Sequence, residues 1–272
     1  MAEPTTRIAP PGAHAKGLLR LWLHQFRYDL MAFARNGQYR FFTIALPVIF
    51  LVIFASIFKG KVDVPGGKIS VSVFYVPGIM TLGIIAASFM NLVISVTAQR
   101  ETGVLKRRRA TPIPASAIIA GRSLTATVTA LFIAGVLLLI GRLFFKASVP
   151  AHTAPALVVT VIIGTIAFGC MGYGVASLIK NQDAAQPITQ AVMLPLYFIS
   201  GVFVATSQLP HWLSEVGQVF PVRHLAAALL VAYNPHTSGA GFAGWDLLIV
   251  GAWGLAGLAV ALRKFSWVPL GR

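Results

Sequence analysis

From Val73 to Ala98 the chain runs 26 residues without a charged side chain, and from Pro155 to Ile179 it does so again for 25. About twenty apolar residues in a helix reach across the roughly 30 Å hydrocarbon core of a bilayer. No water is available there to satisfy backbone N–H and C=O groups, so such runs must pair them internally, as a helix does. Four more apolar runs, Phe41 to Phe58, Ala117 to Gly141, Pro187 to Thr206 and Leu247 to Leu262, extend the pattern. Together they predict an all-α integral membrane protein with six transmembrane helices.

Composition agrees. The 272 residues are 57% hydrophobic and 11% charged, against about a quarter charged in soluble domains. A net charge of +15 would suit a nucleic-acid binder. The basic residues are parcelled between the apolar runs rather than gathered on one soluble domain, so no nucleic-acid partner is expected. The single Cys170 sits inside an apolar run, which excludes a disulfide framework or a Cys-based zinc site. About forty residues, including an amphipathic segment, precede the first long apolar run. No cleavable signal peptide is expected.

The chain divides into residues 1–17, a flexible tail rich in Pro and Gly; 18–36, an amphipathic helix; and 37–272, the transmembrane domain. In the helix, Leu19, Trp22, Leu23, Phe26, Leu30 and Phe33 fall on one arc, with Arg20, His24, Arg27 and Arg35 opposite. This fits a helix lying in the headgroup region, basic side towards anionic lipid; a soluble helix packed on a partner would show the same pattern. Lys59 to Ser72 reads as a polar connector with a turn at Pro65-Gly66-Gly67. Between the fifth and sixth runs, residues 207–246 hold short apolar pieces broken by Pro, which read as a re-entrant or outer helical pair.

Lys and Arg retained in cytoplasmic loops set orientation. With the N-terminus cytoplasmic, sixteen fall inside and six outside. Both termini are therefore expected in the cytoplasm, in a multi-pass membrane protein. The same count places Gln99–Pro114, reading QRETGVLKRRRATPIP, on the cytoplasmic side. Its order is a charged turn to Gly103, a basic helical turn, and a stop at Thr111-Pro112-Ile113-Pro114.

None of the seven acids lies in the middle of a predicted span, which argues against a proton- or sodium-driven carrier. The histidines show no metal-binding spacing, and no catalytic or metal residues are expected. No G-x-x-x-x-G-K-[ST] phosphate loop occurs. If ATP drives this protein, the ATPase is a separate chain. Gly251, Gly254 and Gly257 repeat at three-residue spacing; this reads as a close-packing strip, with a hinge as the alternative.

Two stretches carry a resemblance. One is Tyr75-Val76-Pro77-Gly78, running on through Arg100-Glu101-Thr102-Gly103-Val104-Leu105-Lys106-Arg107 to Ala110-Thr111-Pro112. The other is Pro195-Leu196-Tyr197-Phe198-Ile199-Ser200-Gly201-Val202-Phe203, followed by Leu209-Pro210 and Phe220-Pro221. With the order of spans they resemble the permease subunit of ABC-2 type exporters (type V ABC exporters), the type of the daunorubicin-resistance and polysaccharide or lipid export permeases. Such permeases often have Asn-Pro where this chain has Phe220-Pro221.

The resemblance implies a non-catalytic subunit that exports a hydrophobic or amphipathic compound, with ATP and Mg bound by a partner ABC ATPase and no cofactor on this chain. Arg100, Glu101, Gly103, Lys106, Arg107, Arg108, Thr111 and Pro112 would form the coupling element seated on that ATPase. Trp22, Phe26, Arg27 and Leu30 would belong to a connecting helix beside it. Tyr197, Phe198, Phe203, Leu209, Trp212 and Phe220 would line the path or its outer gate. A second permease copy or paralogue would complete the path, and membrane lipid surrounds it. The run from Lys106 to Arg109 also reads as a topology signal alone, and the aromatics as lipid-facing. A polysaccharide or glycolipid permease, or a scaffold that binds a cytosolic partner without transport, are the alternative functions.

Overall fold

A computed structural model describes residues 23–24, 26–64, 66–109, 115–145 and 149–266. The expected tail, residues 1–17, lies outside these. Helix α1 covers residues 26–35. Helix α2 covers 37–57, with a π turn at Phe41–Ala45 ahead of Leu46–Ile57. Helix α3, Val71–Glu101, has a second π turn at Ala86–Met90. A short α4, Val104–Arg109, precedes α5 (Ala115–Phe145), α6 (Ala154–Ala176) and α7 (Gln182–Ile199). Then come α8 (His211–Val219), α9 (Pro221–Tyr233) and α10 (Gly244–Lys264).

The protein is an all-α membrane protein, and the expected six spans are matched in part by length and composition. Among the described residues four helices are long and apolar enough to cross a membrane: α3, α5 from Ile119, α6 and α10. The pair α8–α9 makes a fifth only if its 95° bend is counted within one span. The apolar part of α2, Phe41–Ile57, is shorter. Helix α7 starts five residues before the expected Pro187, where the Asn181 side chain accepts the Ala184 N–H at 3.0 Å and caps it. It ends at Ile199, not Thr206, because Gly201 takes φ 82° and turns the chain away. Its first turns carry Gln182, Asp183, Gln186 and Gln190.

The polar connector is built as a β-hairpin. Lys61–Val64 (β1) pairs antiparallel with Gly67–Ser70 (β2), Val62 opposite Ile69. Both of those side chains are buried. Ser70 then caps α3 through the Val73 N–H at 3.3 Å.

Helix α3 is the axis of the bundle, with every residue from Phe74 to Ile85 buried. Lipid tails are as apolar as Leu, so helices in a membrane associate by close packing more than by a hydrophobic drive. Small residues supply it at the α6–α10 contact. A Cβ on Gly257 would sit 2.5 Å from Met171 Cα, and one on Gly254 would sit 2.8 Å from Ala167 Cα. Gly251 has nothing within 4 Å, so two of the three repeated glycines serve packing.

The bundle has two ends. At one stand the hairpin and residues 234–237, which His152 reaches through the Thr237 carbonyl at 3.2 Å. At the other, Leu105 of α4 is buried with Leu92 and Val96 of α3, Tyr173 and Ala176 of α6, and Ala261 of α10. Arg100, Lys106, Arg107, Lys180, Arg263 and Lys264 gather at this second, basic end.

Candidate functional site

At the basic end, the residues expected to form a coupling loop split in two. Gln99, Arg100 and Glu101 are the last turn of α3, not a loop. A turn at Thr102–Gly103 follows, in which Gly103 holds φ 72°, a conformation that disfavours any Cβ. Helix α4 then lies against the bundle by Leu105, with Lys106 and Arg107 exposed. Leu105 was not singled out from sequence, although it is the one apolar residue between Val104 and the basic run. Thr111, Pro112 and the side chain of Arg108 lie outside the described residues, as does Trp22 of the expected connecting helix.

Arg100 is a correction. It is 1% exposed and offers no charge to a partner surface. Its Nη1 donates to the Ala176 carbonyl at 2.9 Å, and its Nη2 donates to the Ile179 carbonyl. The first is an acceptor left open where α6 ends and the second belongs to the turn after it, and a cation there also suits the helix dipole. Glu101 is exposed, and its Oε2 accepts the Gln182 N–H at 2.6 Å, the first N–H of α7. An anion at a helix N-terminus is the complementary arrangement.

The two stretches that carry the resemblance meet at the opposite end. Tyr75 Oη donates to the Phe203 carbonyl at 3.2 Å. A Cβ on Gly78 would stand 2.5 Å from the Val202 carbonyl oxygen, so only glycine permits that approach. Phe203 stands at the centre of an aromatic cluster, with ring centroids 5.3 Å from Phe54, 5.8 Å from Phe50 and 5.2 Å from Phe198.

Between these ends lies a partly open cavity of about 650 Å³, bordered by α1, α2, α3, α5 and α7. Both π turns border it, through Phe42 and Thr43 in α2 and Ala86 and Met90 in α3. Such turns recur at functional sites because they widen a helix locally. Along α3 the lining runs from Leu82 to Gln99, about 25 Å at 1.5 Å per residue. The far end is aromatic: Phe50, Phe54, Tyr197, Phe198 and Phe203. The end nearer the basic residues is polar: Asn91, Ser95 and Gln99 from α3, Arg122 from α5, and Gln186 and Gln190 from α7. In the sequence Arg122 is one of the sixteen basic residues that the charge count puts on the cytoplasmic side. The missed signal is the four-residue spacing of Asn91, Ser95 and Gln99, and of Gln186 and Gln190, which places each set on one helix face.

Of the expected path residues, Tyr197, Phe198 and Phe203 border this cavity. Leu209, Trp212 and Phe220 do not. Trp212 is exposed beyond the α7 end, and Phe220 stacks on Trp253 of α10 at 6.4 Å. Of the connecting-helix residues, Arg27 is exposed and Phe26 and Leu30 are half-buried, while Asp29, Ala32 and Phe33 face the cavity.

A multi-pass helical bundle with a basic helix packed on one end and an amphipathic cavity between its helices fits a membrane permease. The chain belongs to the ABC-2 type transporter family, whose model matches residues 21–234. It is 25% identical over 202 residues to the probable multidrug ABC transporter permease YbhR of Escherichia coli K12, covering 70% of this chain and 52% of that protein. It is 24% identical over 188 residues to the inner membrane transport permease YadH of the same organism, covering 67% of this chain and 72% of that one. The chain thus spans about half the length of YbhR.

Proposed function

We propose that this chain is the membrane-spanning permease subunit of an ATP-driven exporter, moving a hydrophobic or amphipathic compound out across the cytoplasmic membrane. A separate ABC ATPase binds ATP and magnesium and supplies the energy. Family membership supports the class, and the names of YbhR and YadH are those of transport permeases. The observation that carries the reading is α4: pinned to three helices by Leu105, it turns Lys106 and Arg107 outward. A partner that pushes on this face moves α3, α6 and α10 with it. The basic end, by the charge count, faces the cytoplasm, where both termini lie. A second copy or a paralogue completes the path. Phe41–Ile57 and α7 cross as the short and the polar span of six, and α8–α9 form the outer re-entrant pair.

The test is co-purification with an ABC ATPase, followed by an ATPase assay of the complex in vesicles. Lys106→Glu with Arg107→Glu reverses both exposed charges without touching the buried Leu105. Expected is loss of co-purification, or a fall in coupled ATPase activity of about tenfold, the size of a lost charge pair at an interface, with melting unchanged. Normal assembly and coupling in the double variant would remove the coupling role from α4.

A further inference from the structure

Arg122 is 8% exposed, at the polar end of the cavity. Its Nη2 donates to Gln99 Oε1, and its Nη1 lies 3.5 Å from Ser95 Oγ. Both acceptors are neutral. Among the described residues no carboxylate stands within 4 Å of it. A desolvated charge with neutral partners is costly, and intramembrane cations mark ligand or ion sites. Guanidinium offers five donors in a planar fork suited to carboxylate or phosphate. Asp29 borders the same end, so the local field is that of Arg122 tempered by one acid.

We propose that this cavity binds an amphiphile carrying one anionic group, carboxylate or phosphate, with that group on Arg122 and the apolar body against Phe50, Phe54 and Phe203. The dimensions fit. A volume of about 650 Å³ falls within the range of small-molecule sites. A lining of about 25 Å exceeds the roughly 15 Å depth of one leaflet's hydrocarbon, leaving room for a head group as well as a chain. Gln186 is exposed and Gln190 half-buried on α7, so the polar end has a rim through which a head group enters. The proposal rests on the permease reading for its biological sense, since it names the class of compound moved or of lipid retained. The binding itself does not depend on ATP.

The test uses the full chain in a neutral maltoside detergent and two fluorescent probes of equal length, a dansyl-labelled undecanoic acid and the matched dansyl-labelled undecylamine. The acid is expected to bind about tenfold more tightly than the amine, the size of one charge-assisted contact. Arg122→Gln should bring the two within about twofold, and Arg122→Lys should keep most of the preference for the acid. Gln190→Trp, at the rim, should weaken both probes by blocking the cavity. Equal binding of acid and amine by the parent chain, an unchanged preference in Arg122→Gln, or unchanged binding in Gln190→Trp each overturns the proposal. Two further measurements separate the sources. Anionic lipid retained through purification by the parent but not by Arg122→Gln, seen by native mass spectrometry, identifies a resident lipid. ATP-dependent clearance of the acid probe from vesicles holding the chain and its ATPase identifies a cargo. Either supports the site, and failure of ATP-dependent movement counts against the exporter reading alone, leaving the acid preference as measured.

Discussion

Arg100 and Glu101, adjacent in the chain, hold opposite ends of a single interhelical turn. Arg100 donates to the last carbonyl of α6 and to the Ile179 carbonyl just beyond it, and Glu101 accepts the opening N–H of α7. Each charge has the sign that its helix end favours. The last turn of α3 therefore carries α6 and α7 with it, and through the Gly103 turn it is joined to α4. A force applied to α4 reaches three long helices through two side chains.

Removing Arg100 is the sharper test of this clamp. Arg100→Ala leaves the buried Ala176 and Ile179 carbonyls without their donor. It is expected to cost about 2–3 kcal/mol, the scale of charged hydrogen bonds lost at a buried site. Arg100→Lys should recover less than half of that, since one ammonium replaces a planar fork. Glu101→Gln keeps an acceptor and is exposed, so the expected loss is about 0.3–1 kcal/mol. Thermal unfolding in detergent reads all three. An Arg100→Ala protein as stable as the parent would show that water satisfies those carbonyls.

The α6–α10 contact gives a second test with its own control. At Gly257 an added Cβ meets the Met171 backbone, which cannot rotate away. Gly257→Ala is expected to cost about 1–3 kcal/mol through overpacking. At Gly251 there is open space, so Gly251→Ala should be neutral or stabilising by up to about 1 kcal/mol from helix propensity. Opposite signs at two glycines six residues apart on one helix would establish the packing strip, and equal effects would dissolve it.

Sequence alone exposed the long helices, because Val73–Ala98 and Pro155–Ile179 hold no charge to interrupt them. It also exposed the break at Phe220–Pro221, where proline removes an N–H and fits the first turn of a new helix. The apolar run beginning at Pro187 marks the start of α7 five residues late, because the Asn181 side chain caps the helix and Pro187 lies in its second turn. The role of Arg100 was hidden for a different reason. A basic run looks the same whether a guanidinium faces water or an α6 terminus 76 residues away. The cavity was half legible. The stripe Asn91, Ser95, Gln99 is a local spacing, but its meeting with Arg122 and Gln190 depends on how three helices pack.

Tyr75→Phe isolates the bond that joins the two stretches carrying the family resemblance. The ring stays in its cluster, 5.3 Å from Phe54, and only the hydroxyl donor to the Phe203 carbonyl is lost. The expected cost is about 1 kcal/mol, read as a lower melting temperature. Tyr75→Leu, which also removes the ring from the cluster, should cost more, because aromatic pairs add about 0.5–1.5 kcal/mol beyond burial. If the two variants melt together, the ring contributes nothing beyond its volume.

The bent pair α8–α9 is tied to α10 by His224 and Asp246, and that contact can be measured directly. His224 Nδ1 lies 2.7 Å from Asp246 Oδ1, and its Nε2 lies 2.8 Å from the Gln218 carbonyl. Each ring nitrogen faces an oxygen, so the imidazole is held from both sides. The pair is mostly buried, with side chains 10% and 25% exposed. Trp253 of α10 adds a bond from Nε1 to the Val219 carbonyl at 3.0 Å, beside the Phe220 stack. His224→Ala and Asp246→Ala should each destabilise the protein, and their double-mutant cycle should give a coupling energy above about 1 kcal/mol, as for residues in direct contact. Each single variant should also raise proteolytic cleavage between Val219 and Pro221, because the break between the two helices loses its hold on α10. Additive effects with unchanged cleavage would mean that the bend is held by the Trp253 and Phe220 contacts alone.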